Sequence, residues 1–315
     1  MNTAGFFSAW QYRALMLTIV CAAAGYLGFS LWSSWSEVSQ ALQSVGLVGT
    51  LLVLLMSLTN YALRFIRWQG YLQTLGHSIA WPLSLKIYLA GFALTTTPGK
   101  AGEALRGVLL KPLGVPHSHS LAAFFSERLS DLFAIVLLTL FGLTLYPEAH
   151  ILIWIGIGGI ALAFLVLSQQ KLLVLATQKL AQKNTTLAQT LLKFFSILSQ
   201  AQHCHKPLQL LTSSILSCIA WSAEALAFYW VLNWMGADIS LPFAVFVYAI
   251  AMLTGALSFM PGGLGGTEAV MIALLIWVGM PSPDAVAATV FIRLATLWFA
   301  VGIGAACLPL VSNKN

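Results

Sequence analysis

Charge is what this sequence has least of. Of its 315 residues, 8% are Asp, Glu, Lys or Arg, and 59% are hydrophobic. A soluble domain carries roughly a quarter charged residues, because its surface must face water. So little charge excludes the one or two soluble domains that the length alone would permit. Cysteine is scarce as well. Cys21, Cys204, Cys218 and Cys307 are scattered without a CxxC pair, and three fall in or beside apolar stretches, where cysteine behaves as a small hydrophobe. That excludes a disulfide framework and a zinc site. The phosphate-loop spacing GxxxxGK[ST] is missing around Pro98-Gly99-Lys100. Ser126 adjoins Glu127 but has no histidine within the apolar spans, so no hydrolase triad is expected. His117-x-His119 and His203-x-His205 lack a matching carboxylate or cysteine set and read as solvated rather than metal-binding. No catalytic residue, metal or cofactor is expected.

What the chain does have is long apolar runs, with a mean hydropathy of +0.87. Eleven Trp, eight Tyr and eighteen Phe suit the aromatic belts of a membrane protein. A helix crossing a core of about 30 Å needs roughly 20 residues. Six stretches meet that length: 14–35, 46–68, 118–145, 150–169, 208–233 and 283–308. The first follows Arg13 and is expected to be an uncleaved helix rather than a signal peptide. Two further apolar regions are interrupted: 84–113 at Thr97-Pro98-Gly99-Lys100, and 242–279 at Met260-Pro261-Gly262-Gly263.

Treating each interrupted region as a re-entrant hairpin makes the orientation testable. With Arg13 inside, Arg64, Arg67, Lys86, Lys111, Lys171, Lys179, Lys183, Lys193, Lys206 and Lys314 fall inside or at the inner edge. The outer loops then hold Glu37, Glu148, Asp238 and Asp284 and no basic residue, a positive-inside pattern with both termini cytoplasmic. The formal net charge of +6 is thus spread along the cytoplasmic edge, where anionic lipid attracts it, and implies no nucleic-acid partner. The polar segment 171–206 carries leucines and phenylalanines at near-helical spacing between Lys179, Lys183 and Lys193, and reads as an amphipathic helix on the inner leaflet.

The two interrupted regions also match each other. Pro98-Gly99-Lys100-Ala101-Gly102-Glu103 parallels Pro261-Gly262-Gly263-Leu264-Gly265-Gly266-Thr267-Glu268. Beyond the glutamates the offset stays at 165: Ala122-Ala123 with Ala287-Ala288, and Arg128-Leu129 with Arg293-Leu294. One hairpin opens inward and the other outward, so the repeat is inverted, as in many secondary transporters. Its halves are about 82–145 and 242–308, inside a single membrane domain spanning 1–315. The predicted fold is therefore an all-α integral membrane protein with about six full crossings and two re-entrant hairpins.

Arg128 and Arg293 lie about 15 Å into their helices, near mid-membrane. A charge at that depth costs roughly 2.5–3.5 kcal/mol and needs a partner or a wet cavity. Glu103, Glu127, Asp131, Glu224 and Glu268 are the candidate partners. A buried ion-pair lattice that fixes the packing is one reading. The other is a central anion-binding cavity: the Pro-Gly breaks free backbone amides there, positive helix ends point inward, and Lys100 sits beside one of them.

The segments 97–106, Glu127-Arg128-Leu129-Ser130-Asp131 and 261–268 together resemble the membrane domain of bacterial lysyl-phosphatidylglycerol synthase, the part assigned as a flippase. The resemblance covers about 10–308. It implies a transporter-like fold with two re-entrant helices, a place in the bacterial inner membrane, and translocation of a phospholipid or polyprenyl-linked lipid. It also implies that Glu103, Arg106, Glu127, Arg128, Asp131 and Glu268 lie near the substrate path. The synthase's soluble domain has no counterpart before Asn315, so synthase activity is not expected. The leading expectation is a flippase-like transporter in which Arg128, Arg293 and Lys100 engage a lipid headgroup. An ion- or proton-coupled small-anion transporter, with Glu127, Asp131 or Glu268 carrying the proton, is the first alternative. A membrane-embedded enzyme, or a non-transporting partner of a lipid-modifying enzyme, is the second.

Overall fold

A computed structural model describes residues 9–96, 101–144, 151, 153–159, 178, 186–258 and 260–312. Lys100, the Pro98-Gly99 break, most of the 150–169 span and nearly all of 171–185 lie outside the described residues. Among the described residues every regular element is helical. Prolines in the first turn start four of them, at Pro82, Pro207, Pro242 and Pro283, where the missing N–H costs no hydrogen bond.

The first helix, α1, runs from Ala9 to Thr74. The sequence suggested two crossings here, 14–35 and 46–68. The break is real but has no loop: Gly46 takes a φ of +66°, and helix resumes at once. A single left-handed residue of this kind is easily supplied by glycine. Next come α2 (Trp81–Ala90), which tightens into a 3-10 turn over Gly91–Leu94, and α3 (Ala101–Leu110). Then follow α4 (His117–Leu143), α5 (Thr186–His203) and α6 (Pro207–Trp234). The second interrupted region is α7 (Leu241–Leu257), a turn at Pro261–Gly263, and α8 (Gly266–Trp277). The chain closes with α9 (Ser282–Arg293), a π-helical turn over Leu294–Trp298, and α10 (Phe299–Ser312).

Three stretches are long and apolar enough to cross a membrane by length and composition: Val38–Thr74, Pro207–Trp234 and Ser282–Val311. At 27 residues α4 would extend about 40 Å, but Glu127, Arg128 and Asp131 interrupt its apolar run. The arms of the interrupted regions are short, and in both the chain doubles back. The rings of Phe243, near the start of α7, and Trp277, at the end of α8, lie 6.2 Å apart between centroids. In the first region the Arg106 guanidinium of α3 stacks 4.1 Å from the Tyr88 ring of α2.

The packing crosses between the two interrupted regions: α4, which follows the first, lies on α7 of the second, and α10, which follows the second, lies on α2 of the first. Glycines permit the close approach. Gly142 of α4 faces the Pro242 carbonyl and Phe246, and Gly304 of α10 faces the backbone of Phe92 and Ala93. The two hairpin tips meet as well. A Cβ on Gly262 would stand 3.4 Å from both Cα and Cγ2 of Thr96.

Two apolar cores flank that meeting point. One gathers Trp68, Tyr71, Leu72, Tyr88 and Leu109, and the other Phe228, Val231, Tyr248, Met271 and Phe291. The described part of the predicted amphipathic segment, α5, packs against α4, and Ile197 and Ala201 join the first core.

Candidate functional site

Where the halves meet, α4 presents two carboxylates to the interior. Asp131 is the more heavily engaged. Arg67 Nη1 lies 2.7 Å from its Oδ1, and Arg64 Nη2 and Arg128 Nη2 lie 3.3 Å and 3.0 Å from its Oδ2. Trp221 Nε1 donates to Oδ1 over 3.1 Å. One turn earlier, Glu127 receives Arg106 Nη1 at 2.9 Å, while Arg67 Nη2 stands 3.8 Å away. The Tyr88 hydroxyl donates to Glu127 at 3.5 Å, and Arg67 also donates to the Ser217 hydroxyl.

Helical spacing explains the arrangement. Glu127 and Asp131 are four apart, hence on one face of α4. Ser57, Asn60, Arg64, Arg67 and Tyr71 recur every three or four residues and form a polar stripe along α1 opposite them. Arg106 reaches across from α3 and is held within an aromatic cage of Trp68, Tyr88 and Phe92.

Among the described side chains, four guanidiniums gather around two carboxylates. Nε of Arg64, Arg67 and Arg106 and Nη2 of Arg67 are buried without a hydrogen-bond acceptor. A buried donor left unmatched costs about 1–3 kcal/mol, and more when charged. The cluster therefore has unspent capacity for an anion. Its open edge is formed by Arg64 and Arg128, whose side chains are 13% and 26% exposed, while Arg67 is fully enclosed.

The second half is built differently. Arg293, at the end of α9, places Nε 2.6 Å from Glu268 Oε1 and donates from Nη2 to the Gly262 carbonyl at 2.9 Å. Glu268 in turn accepts the Gly265 N–H at 2.6 Å, capping α8. Gly262, Gly263 and Gly265 all have positive φ, so glycine makes this turn possible, and the ion pair ties it to α9.

Six of the eight residues singled out by sequence thus have described side chains, and all six take part in these two groups. Arg106, Glu127, Arg128 and Asp131 share the first; Glu268 and Arg293 form the second. Lys100 lies outside the described residues, and for Glu103 only its place in α3 is described.

Two expectations require correction. Arg64 and Arg67 were assigned to the cytoplasmic edge, but they are interior partners of Asp131. They stand ten and seven residues before the end of α1, deep enough to meet α4. Glu224 was a candidate partner for the arginines. It instead accepts a hydrogen bond from the Tyr248 hydroxyl at 2.6 Å and has no ion-pair partner among the described residues.

A family model described as the lysylphosphatidylglycerol synthase TM region matches residues 14–304. The chain belongs to this family. A UPF0104 membrane protein of Pyrococcus horikoshii is 24% identical over 269 residues, covering 76% of this chain and 80% of that protein. Two UPF0104 membrane proteins of Methanothermobacter thermautotrophicus are 31% and 32% identical over 99 and 91 residues. Those matches cover 31% and 29% of this chain, but only 29% and 27% of the relatives. Family membership and the apolar helices together make the protein a multi-pass membrane protein. The family match extends across both hairpins and every charged residue of the two groups.

Proposed function

We propose that the protein is a flippase-like transporter that moves a lipid, or lipid-linked substrate, with an anionic headgroup across the cytoplasmic membrane. The observation that carries this reading is the gathering of four arginines around Glu127 and Asp131, with buried N–H donors on Arg64, Arg67 and Arg106 that have no acceptor. Such donors are satisfied by a phosphate or carboxylate, and Arg supplies forked donors suited to either. The family is named for lysylphosphatidylglycerol, a lipid with a phosphate in its headgroup. A lipid can keep its chains in the bilayer while only the headgroup enters the polar centre.

The short hairpin arms support reading both interrupted regions as re-entrant: at 10–17 residues each they extend about 15–26 Å, less than the hydrocarbon core. The crossed packing of α4 on α7 and α10 on α2 supports an inverted repeat whose halves rock about the touching tips. Both termini belong on the cytoplasmic side in this arrangement.

The test compares wild type with Arg64→Gln/Arg128→Gln, which alters the open edge and leaves the enclosed arginines in place. Lipids retained through gentle purification are identified by mass spectrometry, and translocation of fluorescent phosphatidylglycerol is followed in proteoliposomes. The expected result is a discrete anionic lipid enriched in wild type alone, with translocation lost in the variant. Equal, unselective lipid in both proteins would overturn the reading, and movement of a water-soluble anion instead would replace lipid with a small solute.

A further inference from the structure

The buried carboxylates among the described side chains differ in one respect. Glu127 and Asp131 are held by arginines, whereas Glu224 is not. Glu224 is 5% exposed and sits ten residues from the C-terminal end of α6, about 15 Å along the helix. Its hydrogen-bond partner among the described residues is a neutral one, the Tyr248 hydroxyl at 2.6 Å on α7. Ionisable or polar groups face it electrostatically from each helix packed around it: Tyr61 and Arg64 on α1, Asp131 on α4, Tyr248 on α7 and Arg293 on α9. The helix that carries it packs both on α1 and α4 of the arginine cluster and on α9, which carries Arg293.

A carboxylate ionised in such a place has lost its water without gaining a contacting cation, which is costly. The neutral acid avoids that cost. A tyrosine hydroxyl can donate to the carboxylate or accept from the acid, so Tyr248 satisfies either form. Two charge states are thus accommodated by one geometry.

We infer that Glu224 is a proton-binding site that couples anion passage to proton movement. Its carboxylate takes a proton from water on the side to which the centre is open and releases it to water on the other side. The proposal rests on the anion-transport reading above. An ionised Glu224 lowers the positive potential of the arginines that would hold an anion, and a protonated Glu224 restores it. Proton and anion therefore favour each other's binding, and by linkage the effect is reciprocal. This places proton exchange at Glu224, rather than at Glu127, Asp131 or Glu268, whose charges are committed to arginines.

The test uses the full chain, wild type beside Glu224→Gln, a side chain of the same shape that mimics the neutral acid and keeps a partner for Tyr248. Infrared difference spectra across a pH titration should show a protonated-carboxyl band in wild type that is absent from Glu224→Gln. The band should change frequency in Tyr248→Phe. A wild type without such a band, or an identical band in Glu224→Gln, overturns the assignment. In proteoliposomes, an imposed pH gradient should change fluorescent phosphatidylglycerol translocation severalfold in wild type and leave the Glu224→Gln rate unchanged. Equal gradient sensitivity in both overturns the coupling. No translocation by either protein overturns the transport reading instead, and the infrared band alone then decides the proton site.

Discussion

The arginine cluster on α1, α3 and α4 and the ion pair on α8 and α9 face the same difficulty, charge buried among apolar helices. They meet it in opposite ways. In the second half one carboxylate meets one guanidinium, and their remaining hydrogen bonds go to the backbone of the glycine turn between α7 and α8. The pair acts as a strut that holds a sharp turn. In the first half, four guanidiniums crowd two carboxylates among the described side chains, and several N–H groups have no acceptor. A group built only to hold the fold would not leave such donors unmatched, because each is destabilising. The contrast separates a site with capacity for a ligand from a site whose bonds go to the protein itself.

The largest effect should come from removing the carboxylate that three arginines share. Asp131→Asn leaves Arg64, Arg67 and Arg128 repelling one another in the interior. Uncovering a buried charge in this way costs about 3–5 kcal/mol, and the variant should show a sharply lower Tm in detergent or fail to yield monodisperse protein. A Tm close to wild type would mean that water or lipid already screens these charges, which would weaken the contrast.

The strut should break less severely and, unlike the cluster, should be repairable. Glu268→Gln keeps an amide oxygen for Arg293 but removes its countercharge, at about 2 kcal/mol for a buried charged donor whose acceptor becomes neutral. Replacing both members, as in Glu268→Gln/Arg293→Met, removes the unmatched charge and should recover most of the lost Tm. A double variant no more stable than the single one would show that the pair does more than brace the turn. Smaller again is Gly262→Ala. Its Cβ meets Thr96 and Leu297 at ordinary van der Waals distances of 3.4–3.6 Å, so its cost is the left-handed φ of +63° alone. That is about 1–2 kcal/mol, read as a modest Tm loss with the hairpin otherwise intact.

The same contrast shows what could be read from residues alone. The strut was legible: Glu268 and Arg293 stand 25 apart, in register with Glu103 and Arg128, and follow an obvious Pro-Gly break. The α4 members of the cluster were legible too, since charge inside an apolar run has to be explained. Arg64 and Arg67 were missed because a basic residue near a helix end ordinarily marks the cytoplasmic side. The signal against that reading was the stripe Ser57, Asn60, Arg64, Arg67 and Tyr71, whose spacing confines polarity to one face of α1. Glu224 was noticed and given the wrong partner. Which helix turns toward it is a matter of tertiary packing, and no local pattern places Tyr248 opposite. The loopless break in α1 shows another limit. Gly46 marks the boundary, but only the backbone angles reveal that helix continues on both sides without a connecting loop.

The weakest expected effect lies at the edge of the cluster's half and tests whether that half alone senses mild acid through an exposed contact. His77, in the turn after α1, places Nε2 2.8 Å from Nδ1 of His119 at the start of α4. This hydrogen bond requires one ring to donate and the other to accept, so at least one must be neutral. Desolvation, with the His119 charge as the lesser cause, holds His77 below the ordinary histidine range. The sign follows from proton binding: near that range the unfolded chain takes up the proton more readily than the folded one. The contact's contribution is therefore complete at and above neutral pH and fades as pH falls through about 6.5. Both rings are partly exposed, so the effect should be a small Tm loss on acidification, flattened in His77→Gln. An unchanged pH slope in that variant would assign the acid sensitivity to the interior, where the arginine cluster and Glu224 are the groups to examine.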